Sequence, residues 1–188
     1  MKFHYKGRYS GNPEDIPHGR IKANSNRVED YTDYKKFMVI MNFAAIGTMT
    51  VLFAVFCFIS GVSSFSISSC YISCVLLIFH EMLHAVCFKE DVYLFTNFSN
   101  MSLFVVGTED MSKRRTLVMT LLPNIVFGFL PFCVYLINNE LLLCGSLGVL
   151  NIGMGAGDYY MAYKVLRKVP NDAKIYMHKM DTYWYYPE

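Results

Sequence analysis

Residues 37–60 run for 24 positions without a charged side chain. A helix crosses the hydrocarbon core of a bilayer in about 20 apolar residues. A chain of 188 residues could bury a sizeable core as a single domain, but its apolar residues are massed in long runs instead of being scattered at amphipathic spacing, so this stretch reads as a transmembrane span. Three further apolar runs come after it. Ile67–Phe88 is interrupted only by His80, Glu81 and His84. Thr116–Ile137 has no charge but carries Pro123, Asn124 and Pro131, and Leu141–Tyr163 holds one charge, Asp158. The chain as a whole is 54% apolar and 17% charged, against about 25% charge in ordinary soluble domains. That excludes a disordered chain and an ordinary water-soluble globule.

Backbone that faces lipid must satisfy its own hydrogen bonds, so each run is expected to be helical. The predicted fold class is therefore an all-α integral membrane protein with four transmembrane helices. It divides into a polar N-terminal segment 1–36, a four-helix membrane domain 37–166 and a tail 167–188. Pro123 and Pro131 are expected to kink the third helix.

Charge placement sets the orientation. Segment 1–36 carries eight Lys and Arg, the loop 89–115 four and the tail after Tyr163 five, which accounts for all 17; loops 61–66 and 138–140 have none. By the positive-inside rule the basic side is the cytoplasm, so a multi-pass protein of the cell membrane with both termini inside is expected. The lipid bilayer is then an obligatory partner, and nucleic acid is not an expected one. The loop 92–107 is aromatic and β-branched around Asn97-Phe98-Ser99-Asn100, which reads as two short strands and a turn on the membrane surface, with an edge able to hold an extended peptide. Tyr183, Trp184, Tyr185 and Tyr186 read as headgroup-level aromatics or a solvated tail. The six cysteines, all within or at the ends of the apolar runs, read as helix-packing side chains.

The chemistry is concentrated in His80-Glu81-Met82-Leu83-His84. Two histidines four apart project from one helix face and can share a metal ion, while the intervening Glu reaches a water on it. An ionisable group inside an apolar span costs several kcal/mol unless it has a polar role, which favours function over packing. Catalytic zinc takes three protein ligands and leaves a position open. His80 lies nine residues before Lys89, about 13 Å along a helix, and Asp158 lies six before Lys164, about 9 Å. Similar depth makes Asp158 the candidate third ligand, with Gly153 and Gly157 allowing close helix approach. Glu90, Asp91, Glu109 and Asp110 in the loop compete for the position. Asn124 is expected at the same depth, either donating to an oxyanion or bonding the carbonyl freed by Pro123.

The HEMLHAVCF helix, the hairpin, the MSKRRTLVMTLLPNIVFGFLPF segment and a last helix with Gly155-Ala156-Gly157-Asp158 together resemble a bacterial family of zincin-type membrane peptidases. That family is related in outline to the site-2 protease class of intramembrane metalloproteases. The resemblance covers about Phe37–Leu166. It implies Zn²⁺ as cofactor, His80 and His84 as ligands, Glu81 as general base and a membrane protein or peptide as substrate. In site-2 proteases the third ligand is an Asp followed by Gly, whereas here Gly157 precedes Asp158. The alternative function is a metal-binding, non-catalytic membrane scaffold that recognises helices.

Overall fold

The longest helix, α1 (Tyr34–Ser60), is apolar yet open: Phe43 is 71% exposed and Phe58 93% exposed, which is compatible with a helix that crosses a membrane. The computed structural model describes residues 2–29, 34–97 and 102–187. In chain order it contains β1 (Phe3–Arg8), β2 (Asn26–Arg27), α1, α2 (Ser68–Val86), β3 (Val92–Asn97), β4 (Ser102–Gly107) and β5 (Met111–Ser112). Then come α3 (Lys113–Asn124), a π-helical turn (Ile125–Phe129), α4 (Leu130–Ile137), α5 (Leu142–Met154), α6 (Ala156–Lys168), β6 (Lys174–His178) and β7 (Asp181–Tyr185). Three helices are long and apolar enough to cross a membrane: Lys35–Ser60, Ser68–Val86 and Lys113–Ile137.

The all-α, four-span expectation is corrected in two respects. First, the polar segments are not irregular: they form a three-stranded sheet in the order β1-β3-β4 and a four-stranded sheet in the order β2-β7-β6-β5. Tyr183, Trp184 and Tyr185 of the aromatic C-terminus belong to strand β7, and Tyr186 follows it. Second, the run Leu141–Tyr163 is two helices of 13 residues, α5 and α6, separated at Gly155. A 13-residue helix is about 20 Å long, short of a bilayer core. The third run remains one continuous helical rod, but its two prolines are accommodated differently from a simple kink. Pro123 is followed by the π turn, and Pro131 stands just past the end of that turn, at the second residue of α4.

The chain forms two compact units. One comprises Met1–Asp30, Glu81–Thr120 and Met161–Glu188, and the other Tyr31–His80 and Leu121–Tyr160, so the division falls within α2 between His80 and Glu81, within α3 between Thr120 and Leu121, and within α6 between Tyr160 and Met161. The apolar unit packs Phe56 of α1, Phe132 and Tyr135 of α4, and Val149 and Ile152 of α5. Burial of apolar surface gives little drive between helices in lipid, so close packing and polar ties must hold them. Gly145 and Gly148 supply the first: a Cβ at either would stand under 3 Å from the rings of Tyr135 and Phe56 or of Phe132. Asn151 Nδ2 donating to Ser73 Oγ (3.0 Å), and the Ser66 amide donating to Ser146 Oγ (3.0 Å), supply the second.

The polar unit contains both sheets and two small cores. Ala85 and Phe88 at the end of α2 pack with Val92, Val105, Met111 and Met119, so the β3–β4 hairpin is seated on the helix that carries the histidines. Val165 and Val169 pack with Val28, Ala173 and Ile175 in the other. Just past the C-terminal end of α2, Arg115 Nε donates to the Cys87 carbonyl (2.8 Å), and Glu109 anchors the following loop by accepting the amides of Lys89 (2.7 Å) and Glu90 (2.5 Å). A cation near the C-terminal end of a helix also complements its dipole.

Candidate metal centre

His80, Glu81 and His84 lie on the last two turns of α2. One potential ligand atom from each lies within 4.8 Å of the others, and among the described residues no other set of three or more His, Cys, Asp or Glu is this compact. Helical spacing alone brings the two histidines onto one face. The surroundings then fix their orientation. His84 Nδ1 stands 2.8 Å from the Met119 carbonyl of α3. A carbonyl only accepts, so Nδ1 donates this hydrogen bond, the arrangement in which a histidine ligates a metal through Nε2.

His80 Nε2 stands 3.2 Å from Asp158 Oδ2, at the start of α6. Two ligands held at about 2.0–2.1 Å by one tetrahedral zinc are about 3.3 Å apart. The spacing therefore fits two donors converging on a common ion. Their side chains are 17% and 24% exposed, shielded but reachable. The same Asp158 oxygen accepts a 2.6 Å hydrogen bond from Asn124 Nδ2, at the end of α3, and Asn124 is 1% exposed. Sequence offered Asn124 an oxyanion or the carbonyl freed by Pro123. In the structure its amide holds the Asp158 carboxylate, as partners behind metal ligands do.

Two further residues complete this arrangement: Gly155, which sequence reading uses only as part of the Gly155-Ala156-Gly157-Asp158 motif, and Tyr159, for which it offers no signal. A Cβ built on Gly155 would stand 1.8 Å from Asn124 Oδ1 and 2.8 Å from the Tyr159 hydroxyl, so only glycine lets the Asn124 carboxamide lie against the α5–α6 break. The Tyr159 hydroxyl is buried there with no hydrogen-bond partner among the described residues. The glycine-rich stretch had pointed instead to Gly153 and Gly157. Gly153 packs on Met49 of α1, and a Cβ on Gly157 would meet nothing within 4 Å.

The loop carboxylates are engaged elsewhere. Asp91 accepts from the Lys2 amide and pairs with His4, a hydrogen bond that holds its carboxyl below the ordinary value. Glu109 anchors the loop after α2, beside Arg115. Asp110 pairs with Lys22 and accepts from the Tyr185 hydroxyl. Glu90 is exposed.

Helices long and apolar enough to cross a membrane, and an HExxH sequence with a carboxylate beside its first histidine, are features compatible with a membrane protein of the metallopeptidase class. Residues 73–174, more than half of the chain and including all five site residues, match the family described as "Putative zincin peptidase", and the chain belongs to that family. Comparison with curated proteins and with solved structures gives no match.

Proposed function

We propose that the protein is a zinc metallopeptidase embedded in the cell membrane, which cleaves membrane-associated or transmembrane substrates near the cytoplasmic face. The observation that carries this reading is the 3.2 Å approach of His80 Nε2 to Asp158 Oδ2, beside a second histidine whose Nδ1 donates to a backbone carbonyl. His80, His84 and Asp158 would hold the ion. Bound zinc supplies a Lewis acid that lowers the pKa of a water toward 7 and polarises a carbonyl.

Glu81 lies one residue from His80 and does not serve as a ligand. It takes the proton of the attacking water as the O–C bond forms and delivers it to the amine nitrogen as the C–N bond breaks. Asn124 keeps the Asp158 carboxylate aimed, and the part-buried setting keeps bulk water from competing.

Strand pairing supports the cytoplasmic placement. β1 pairs with β3, β2 with β7 and β5 with β6, so the N-terminal segment, the 89–115 loop and the C-terminal tail, which carry most of the basic charge, belong to one unit. Fifteen of the 17 basic residues belong to that unit, and the other two, Lys35 and Lys36, open α1. With both termini on the cytoplasmic side, this reading gives the last crossing to the broken pair α5–α6. Broken helices at membrane depth are tolerated where they line a site.

The test is zinc content and turnover in detergent-purified protein. Wild type should carry one zinc, and His80→Ala and Asp158→Ala should lose it. Glu81→Gln should retain zinc and stability while cleavage of a transmembrane reporter falls by about 10²- to 10⁴-fold. Zinc-free wild type, or undiminished cleavage by Glu81→Gln, would refute the reading.

A further inference from the structure

We infer that Pro123 is a positioning residue for the metal site, because the hydrogen bond it cannot make is the one that orients His84. The inference rests on the reading of His84 as a ligand. In an α-helix each carbonyl accepts from the N–H four residues on. Pro123 lies inside α3 and has no N–H, so the carbonyl released is that of Met119. The proline ring also crowds that carbonyl and tilts it away from the helix axis. Met119 O is the atom found 2.8 Å from His84 Nδ1.

The pairing solves two problems together. A carbonyl left unpaired at membrane depth is costly, and His84 satisfies it. A histidine meant to ligate through one nitrogen needs the other fixed, and the released carbonyl fixes it. An N–H at position 123 would take up the carbonyl within the helix and leave His84 a poorer, shared acceptor. Asn124, the next residue, donates to Asp158. One dipeptide, Pro123-Asn124, therefore orients a ligand on α2 through a backbone carbonyl and a ligand on α6 through a side-chain amide. The π turn that begins at Ile125 takes up the resulting change of helical phase.

The experiment compares full-length wild type, Pro123→Ala and Pro131→Ala in detergent. Imidazole ¹⁵N NMR of metal-free protein reads the His84 tautomer, and chelator competition reads the zinc dissociation constant. In wild type the Nδ1–H form should dominate. In Pro123→Ala the tautomer population should shift toward Nε2–H and zinc affinity fall roughly 10- to 100-fold. Metal-free thermal stability should hold or rise, because a helix-breaking residue has gone. Pro131→Ala, in the same apolar rod, should change neither tautomer nor affinity.

A Pro123→Ala protein with wild-type tautomer and affinity but altered stability would reduce Pro123 to a structural role and overturn the inference. So would an Nε2–H tautomer in metal-free wild type, which needs no variant to fold. Absence of zinc binding by wild type would instead refute the peptidase reading and with it the metal-site role of Pro123, while the tautomer measurement would still decide whether Pro123 orients His84.

Discussion

At Gly155 one missing methyl group decides whether Asn124 can lie where its amide reaches Asp158. A Cβ 1.8 Å from Asn124 Oδ1 cannot coexist with that placement, and the neighbour it would strike is a side chain 1% exposed with nowhere to go. Gly155→Ala should therefore displace Asn124 and weaken zinc retention by about tenfold, the lower range for loss of a group behind a ligand. Gly157→Ala, where a Cβ meets open space, should leave zinc retention unchanged; equal effects of the two in chelator competition would contradict a special role for Gly155. Spacing pairs Gly153 with Gly157 because the rule counts residues along an unbroken helix. The helix ends at Met154, so the count does not apply.

Among the elements, the second sheet has a device that responds to pH. Beyond β2, the Val28 amide donates to the Thr182 carbonyl at 2.9 Å, and the Thr182 amide donates to both carboxylate oxygens of Glu29 at 3.0 Å. Glu29 thus extends the β2–β7 ladder with a side chain that is 3% exposed. Burial pushes its carboxyl above the ordinary 4.5. A raised acid favours the protonated form in the folded state, so its contribution to stability is complete below the ordinary value and is lost as pH rises through the raised one. Glu29→Gln keeps an acceptor for Thr182 and removes the buried charge. It should raise the melting temperature near pH 7 by a few degrees and flatten the fall in stability between acidic and neutral pH. A lower melting temperature at pH 7 in a thermal scan would show that the ionised carboxylate is worth more than its desolvation costs.

For the whole molecule the decisive quantity is the side on which each loop emerges. Single cysteines introduced into a background free of the six native ones should be labelled from the cytoplasmic side at positions 20, 110 and 175 and from outside at 64 and 139. Labelling of position 110 from outside would contradict the strand pairing that ties β5 to the C-terminal strands. The same labelling tests the return of the chain through α5 and α6, since two short helices replace the continuous fourth span expected from hydropathy.

By itself the sequence determined the features that depend only on neighbours along the chain. A charge-free run longer than a bilayer is thick has one low-energy state, and α1 begins within three residues of its expected start and ends at Ser60 as expected. Alternation of β-branched and aromatic residues placed the β3–β4 hairpin at 92–107, although its turn, 98–101, lies outside the described residues. A four-residue helical spacing put His80 and His84 on one face before any contact was known.

Tertiary structure alone decided the rest, because the partners are far apart in sequence and leave no local trace. β1 and β3 are 89 residues apart, so neither reads as a strand of a common sheet. The break at Gly155, the seat of Asn124 and the use of the Met119 carbonyl all depend on what packs alongside. Periodicity records which face of a helix is apolar. It does not record which backbone group another helix will need.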